Sequence, residues 1–295
     1  MKHYSLFLVT VLFSIVTIAQ DINKEIVIGD DKPFLLGEIN KNGLTSENYN
    51  TWFSKNHNDY KIDHTTINAI GKKLKAYQIT IFMGTWCGDS KKEVPRFYKI
   101  LEACNYPMDQ LSVIGLSRKS DMYKQSPNHH EAGLNIHRVP TFIFYKDKKE
   151  VNRIVEHPVE TLEKDILNIL DSNKYKSNYQ IVTKVNNILI KDGLNGLKRQ
   201  RRKLLKTFTG KVISMSELNT YARTLYSTNR FYEAIEVCEL NTILFPNSSR
   251  AYESLSIVLD ANGQTNEAIK VIEKAIKKFP ENEDLKDNLK DLKSI

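Results

Sequence analysis

Apolar and polar positions follow two rhythms along this chain of 295 residues. From residue 65 to 172 the rhythm keeps changing. Ile67, Ile70 and Leu74 recur at helical spacing and predict an amphipathic helix over 65–76. A β-rich run (Ile79, Ile81, Phe82, Met83) predicts a strand over 78–84. A helix over 88–104, a strand over 111–116, a helical or irregular stretch over 119–136 and a strand over 141–146 follow. The turn Asp147-Lys148-Lys149 then leads to a strand over 151–155 and a helix over 159–171. That order predicts an α/β domain with a mixed central sheet flanked by helices.

On the N-terminal side, 20–64 is a polar extension. Pro33-Phe34-Leu35-Leu36-Gly37 suits a short strand and turn, and Thr45-Ser46-Glu47-Asn48 suits the cap of a helix carrying Tyr49, Trp52 and Phe53. These aromatics are expected to pack the extension onto the next domain. On the C-terminal side the pattern is helical throughout. Residues 173–214 combine a polar linker with connector helices in which Ile188, Ile190, Leu194 and Leu197 are apolar. Residues 215–295 contain a repeat: Ala234 and Ala268, Phe245 and Phe279, Pro246 and Pro280 are each 34 residues apart. Residues 215–248 and 249–282 align as two helix–turn–helix units with a polar closing helix behind them. A C-terminal all-α helical-repeat domain is therefore expected.

Composition changes the picture at one end. Lys2 and His3 precede an apolar run, Leu6–Ile18, and Thr17-Ile18-Ala19 offers small residues before Gln20. A run this short falls below the roughly 20 residues that span a bilayer as a helix. Residues 1–19 are therefore expected to be a secretory signal peptide, placing the mature protein in the periplasm or outside the cell with no stable membrane anchor. The net charge of +8 includes six basic residues among nine at 198–206. Leu194, Leu197, Leu204, Leu205 and Phe208 mark an apolar face there, so the basic residues read as its solvated side and no nucleic-acid partner is expected.

Candidate chemistry centres on Trp86-Cys87-Gly88-Asp89-Ser90. A cysteine where a strand turns into a helix meets unpaired backbone N–H groups and the helix dipole, which favour its thiolate. Ser90 stands three residues on, Pro95 eight residues on, and Val139-Pro140-Thr141 precedes the apolar strand Phe142–Tyr145. On these residues the stretch 65–172 resembles the thioredoxin superfamily, whose active site is Trp-Cys-Gly-x-Cys. The resemblance implies a thioredoxin fold and a nucleophile at Cys87 supported by Trp86, Gly88, Asp89, Ser90 and Pro95. It also implies a groove formed by Val139, Pro140 and Thr141, with a cis bond before Pro140. Two departures stand out: Ser90 replaces the second cysteine, and Ile81 occupies the position of the family's buried aspartate. The 34-residue period likewise resembles tetratricopeptide repeats, with Leu218 and Tyr252 at the position of an early large aromatic. Two units are few for a solenoid, so the helices at 179–208 are expected to complete it.

The chain has three cysteines, Cys87, Cys104 and Cys238. Cys104 lies 17 residues beyond Cys87, about 25 Å along a continuous helix, far beyond disulfide reach. Cys238 falls on an inward repeat position and reads as an inert core residue. Without a resolving thiol, Cys87 is expected to form mixed disulfides with exported protein or small-molecule thiols, which another thiol then resolves. Lys91 and Lys92 support a thiolate there and Asp89 opposes it. The alternative is a redox-inactive binding or scaffold protein acting through the groove and the repeats. A glutaredoxin-type site holding glutathione and an iron–sulfur cluster fits Ser90 but neither Trp86 nor export. His129, His130 and His137 form no convincing ligand set. No metal and no cofactor are expected; a protein partner is expected at the repeats.

Overall fold

A computed structural model describes residues 22–171 and 175–294. The expected signal peptide, residues 1–19, lies outside the described residues, as does part of the linker. The chain opens with β1 (Lys24–Ile26), β2 (Phe34–Ile39), α1 (Lys41–Leu44), α2 (Glu47–Asp59) and α3 (His64–Leu74). Next come β3 (Gln78–Met83), α4 (Gly88–Ala103), β4 (Leu111–Gly115), β5 (Thr141–Lys146), β6 (Lys149–Val155) and α5 (Leu162–Asp171). The strands form one mixed sheet in the order β1-β2-β4-β3-β5-β6. β3 and β4 run parallel while the other neighbours are antiparallel. This is the mixed sheet with flanking helices expected of a thioredoxin fold.

The sheet's centre is where the longest apolar runs fall, because a strand covered on both faces exposes no polar side. Ile79, Ile81 and Met83 of β3 and Phe142 and Phe144 of β5 are fully buried. Phe97 of α4 stacks over Phe142 with centroids 4.5 Å apart. Outside α4 lies α2, whose Phe53 meets Tyr98 edge-on at 5.6 Å. The N-terminal extension thus packs through Tyr49 and Phe53, and it also extends the sheet: Ile39 of β2 pairs with Val113 of β4. The stretch 119–136 contains a single short 3-10 turn, Ser120–Met122. Lys124, His129 and Asn135 have positive φ there, which no helix accommodates.

The C-terminal region is all-helical: α6 (Gln180–Phe208), α7 (Ser216–Ser227), α8 (Phe231–Leu244), α9 (Ser249–Ala261), α10 (Thr265–Lys278) and α11 (Glu283–Lys293). The 34-residue spacing becomes two helical hairpins, α7–α8 and α9–α10. Ala234 and Ala268 are fully buried near the starts of α8 and α10, where only a small side chain lets helices approach. Phe245 and Phe279 cap the ends of those two helices. α6 adds Ile181, Val185, Leu189, Leu197 and Leu204 to the same core.

One expectation fails within α6. Ile190 is 69% exposed. Gly193, at φ 63° and ψ −169°, breaks the helix and resets its phase, so apolar spacing does not carry across it. Beyond the break, Arg201 turns inward from the basic run onto Glu236 and Glu239, at 2.6 and 2.5 Å. No helix among the described residues is long and apolar enough to cross a membrane.

Candidate functional site

The site begins where β3 ends. Gly84 follows the strand, and a Cβ there would sit 2.5 Å from the Trp86 indole, so only glycine lets that ring fold back over the turn. The indole N–H donates to the Leu116 carbonyl at 2.8 Å, pinning the ring to the end of β4. The Cys87 N–H donates to the Gly84 carbonyl at 2.9 Å. Cys87 is then the N-cap of α4, with extended dihedrals and no side-chain capping bond. It stands one position before the helix proper, and the first-turn N–H groups face outward around it. Ser90, fully buried, accepts the Gly84 N–H at 3.2 Å. Its hydroxyl therefore closes the strand–helix turn. Pro95 lies inside α4 and is buried.

Across from this turn, Val139–Pro140 is cis. The half-buried Cys87 thiol donates to the Val139 carbonyl at 3.1 Å. Thr141, buried, ties the loop internally by donating to the Arg138 carbonyl at 2.7 Å. The structure thus brings together Trp86, Cys87, Ser90, Val139, Pro140 and Thr141. Gly88 is exposed and Asp89 half-buried at the start of α4. Of the two lysines expected to support the thiolate, Lys92 is engaged by the buried Glu93 at 3.1 Å.

The other two sulfurs stand apart and all three cysteines are free. Cys104 is the C-cap of α4, at the opposite end from Cys87, and burial pushes its thiol up to about 11. Cys238 is fully buried in the helical region and is pushed up to about 12 by burial. Neither is available as a thiolate near neutral pH.

Sequence reasoning missed the cations around the thiol. Lys124 is 5% exposed and has no carboxylate within ion-pair distance among the described residues; its ammonium donates to the His137 carbonyl. Burial, then the Arg138 charge, lowers it to about 7, while the charge of Cys87 acts the other way and favours its ammonium. His137 is buried, and desolvation followed by the Lys124 charge lowers it to about 3, so it is a neutral imidazole. Arg138 pairs with Glu156 at 3.0 Å, donates to the Ser216 carbonyl of α7 at 3.0 Å and lies over the Tyr179 ring. Glu156 also accepts from the Tyr179 hydroxyl. The Arg223 guanidinium of α7 sits 3.8 Å from the centroid of Tyr123. No periodicity or motif marks these residues; a lysine in a polar loop reads as solvated. The adjacency of Arg138 to Val139-Pro140 was the one available signal.

Among the described residues no three His, Cys, Asp or Glu side chains gather as a metal ligand set. No family model matches the chain. Among curated proteins it is similar to a thioredoxin H-type of Populus jackii, 33% identical over 91 residues. The match covers 31% of this chain and 58% of that relative, so the chain spans less than two thirds of the relative's length. Fold, strand–helix turn and similarity together make the N-terminal region thioredoxin-like.

Proposed function

We propose that this protein is an exported, monothiol thioredoxin-like protein in which Cys87 undergoes thiol–disulfide exchange. The observation that carries the reading is the half-buried Cys87 thiol at the N-cap of α4, 3.1 Å from the Val139 carbonyl of the cis-proline loop. Both other thiols are buried elsewhere. The Cys87 thiolate attacks one sulfur of a substrate disulfide. A Cys87–substrate disulfide forms, and the old sulfur–sulfur bond breaks with its electron pair on the leaving sulfur, which departs as a thiolate and takes a proton. With a hydroxyl at Ser90, a second thiol from outside the chain completes the cycle. Lys124 supplies the nearby positive charge that favours the attacking thiolate. Trp86, Val139, Pro140 and Thr141 line the groove in which an extended substrate segment lies. The hairpins α7–α8 and α9–α10 act as tetratricopeptide-like repeats that hold a protein partner.

Two measurements test this. Wild type and Cys87→Ala are compared in insulin reduction with dithiothreitol, and Cys87-linked adducts are sought by non-reducing electrophoresis of native extracts. A wild-type advantage and adducts lost in the variant are expected. Equal rates and no adducts would leave only a binding role.

A further inference from the structure

Helix α7 of the repeat region docks against the loops that carry Tyr123 and Arg138, the latter directly preceding Val139, whose carbonyl accepts the Cys87 thiol. Gln125 donates to the Ser227 carbonyl at 2.9 Å, and Arg138 reaches Ser216 at the other end of α7. Between these stitches a cavity of about 450 Å³ remains, lined by Ser120 and Tyr123 on one side and by Asn219, Arg223, Tyr226 and Val258 on the other. Tyr123 ties the cavity to the site: its phenol lies in the field of Arg223, Arg138 and Cys87, and burial raises it above the usual tyrosine range.

Cations outnumber carboxylates here. Lys124, Arg138 and Arg223 share this corner with the carboxylates of Glu156, which Arg138 and Tyr179 already engage, and of Glu217, which accepts the Ile213 N–H and lies in the field of Arg138. Lys124 is buried on a carbonyl and Arg138 is held by Glu156 and Ser216. Arg223 is exposed, and no carboxylate among the described residues lies within ion-pair distance of it. Its face is stacked on Tyr123, which fixes the guanidinium while its N–H edge stays available for a bidentate anion. The larger basic run at 198–206 differs, because Arg201 is already committed to two glutamates.

We propose that this junction cavity is a substrate subsite for the acidic segment flanking the reacting disulfide, with a carboxylate on Arg223 and an apolar side chain against Tyr226 and Val258. The proposal rests on the reading of Cys87 as the exchanging thiol and adds the substrate class. The carboxylate takes no part in the exchange; it raises the local concentration of the disulfide at the sulfur and steers its approach.

The test uses the full chain and two cysteine peptides activated as pyridyl disulfides, alike except that one carries two glutamates beside the cysteine and the other two glutamines. Pyridinethione release gives the second-order rate for each. In low salt the acidic peptide is expected to react about tenfold faster, and the ratio to fall toward one in high salt. Arg223→Glu is expected to abolish or invert the preference. Arg223→Met, which keeps the stem over Tyr123, should abolish it if the charge matters. Arg199→Glu, an equal charge change on an exposed part of α6, should leave the ratio as in wild type. Equal rates for the two peptides in wild type, or a ratio insensitive to Arg223, would overturn the proposal. Should neither peptide react faster than with Cys87→Ala, the exchange reading itself fails. Anisotropy of the labelled acidic peptide on Cys87→Ala and on its Arg223→Glu double variant then decides the subsite. Arg223-dependent binding supports it, and its absence ends it.

Discussion

A buried lysine with no carboxylate at ion-pair distance carries a desolvation cost that is only partly offset, and groups kept in that condition cluster at functional sites. Lys124 is such a group: its ammonium meets a backbone carbonyl, a tyrosine ring 5.0 Å away and the field of Cys87, Glu156, Arg138 and Arg223. Because burial lowers it to about 7, it is largely charged at pH 6 and neutral at pH 9. Lys124→Met is therefore expected to slow alkylation of Cys87 by iodoacetamide at pH 6, where the ammonium is charged, with the two curves converging by pH 9 where it is neutral. A uniform slowing at every pH would assign Lys124 a packing role only. Linkage fixes a second sign. The folded value lies below the ordinary 10.5, so the unfolded chain binds more protons between pH 7 and 10.5. Wild type must gain stability over that window relative to Lys124→Met, as read from urea unfolding at the two ends. Ser90 makes the complementary point. Its hydroxyl accepts the Gly84 N–H inside the protein, so Ser90→Ala strands a buried donor and is expected to cost about 1–3 kcal/mol in thermal unfolding. Ser90→Cys should instead add a resolving thiol and shorten the life of Cys87 adducts on non-reducing gels.

The elements were readable where their apolar period was long and uninterrupted. β3, α4, β4, β5 and α5 start and stop within a few residues of the expected boundaries, since Ile79, Ile81, Phe97, Val113, Phe142 and Ile166 all face the one core. The strand–turn–helix around Cys87 was equally legible, because Gly84, Trp86, Ser90 and Pro95 each mark a local geometric requirement. Two things were not. β2 joins the sheet between β1 and β4 through backbone pairing, which no side-chain pattern announces. α6 was misphased because a single glycine in an unusual conformation separates two helical segments. That break is testable. The backbone at Gly193 lies where a Cβ is strained, so Gly193→Ala is expected to lower stability by about 1–3 kcal/mol in chemical denaturation, although nothing stands near enough to clash. An unchanged midpoint would mean that α6 straightens without cost.

At the scale of the molecule, the consequential feature is the contact between the two architectures. Composition and period separate a mixed-sheet region from a helical one and say nothing of how they meet, because the contacts are single polar side chains scattered along both. Arg138 is the hub. It directly precedes the cis Val139–Pro140 bond, it is paired with Glu156, and it reaches Ser216 at the start of α7. Both members of that ion pair are largely shielded from solvent, at 18% and 14% exposure. Removing the arginine strands a shielded carboxylate and cuts a stitch to α7 at once. Arg138→Met keeps the stem but not the charge and is expected to cost about 3 kcal/mol. Hydrogen exchange should show where that cost falls. Faster exchange is expected at the amides of α7 and of the loop carrying Val139, while the amides of β3 paired with β4 keep their protection. Because the Val139 carbonyl accepts the Cys87 thiol, the same variant should also shift the alkylation rate of Cys87, coupling a helical-region contact to the sulfur. Loosening of α7 with an unaltered thiol rate would show that the two regions are joined mechanically but act independently.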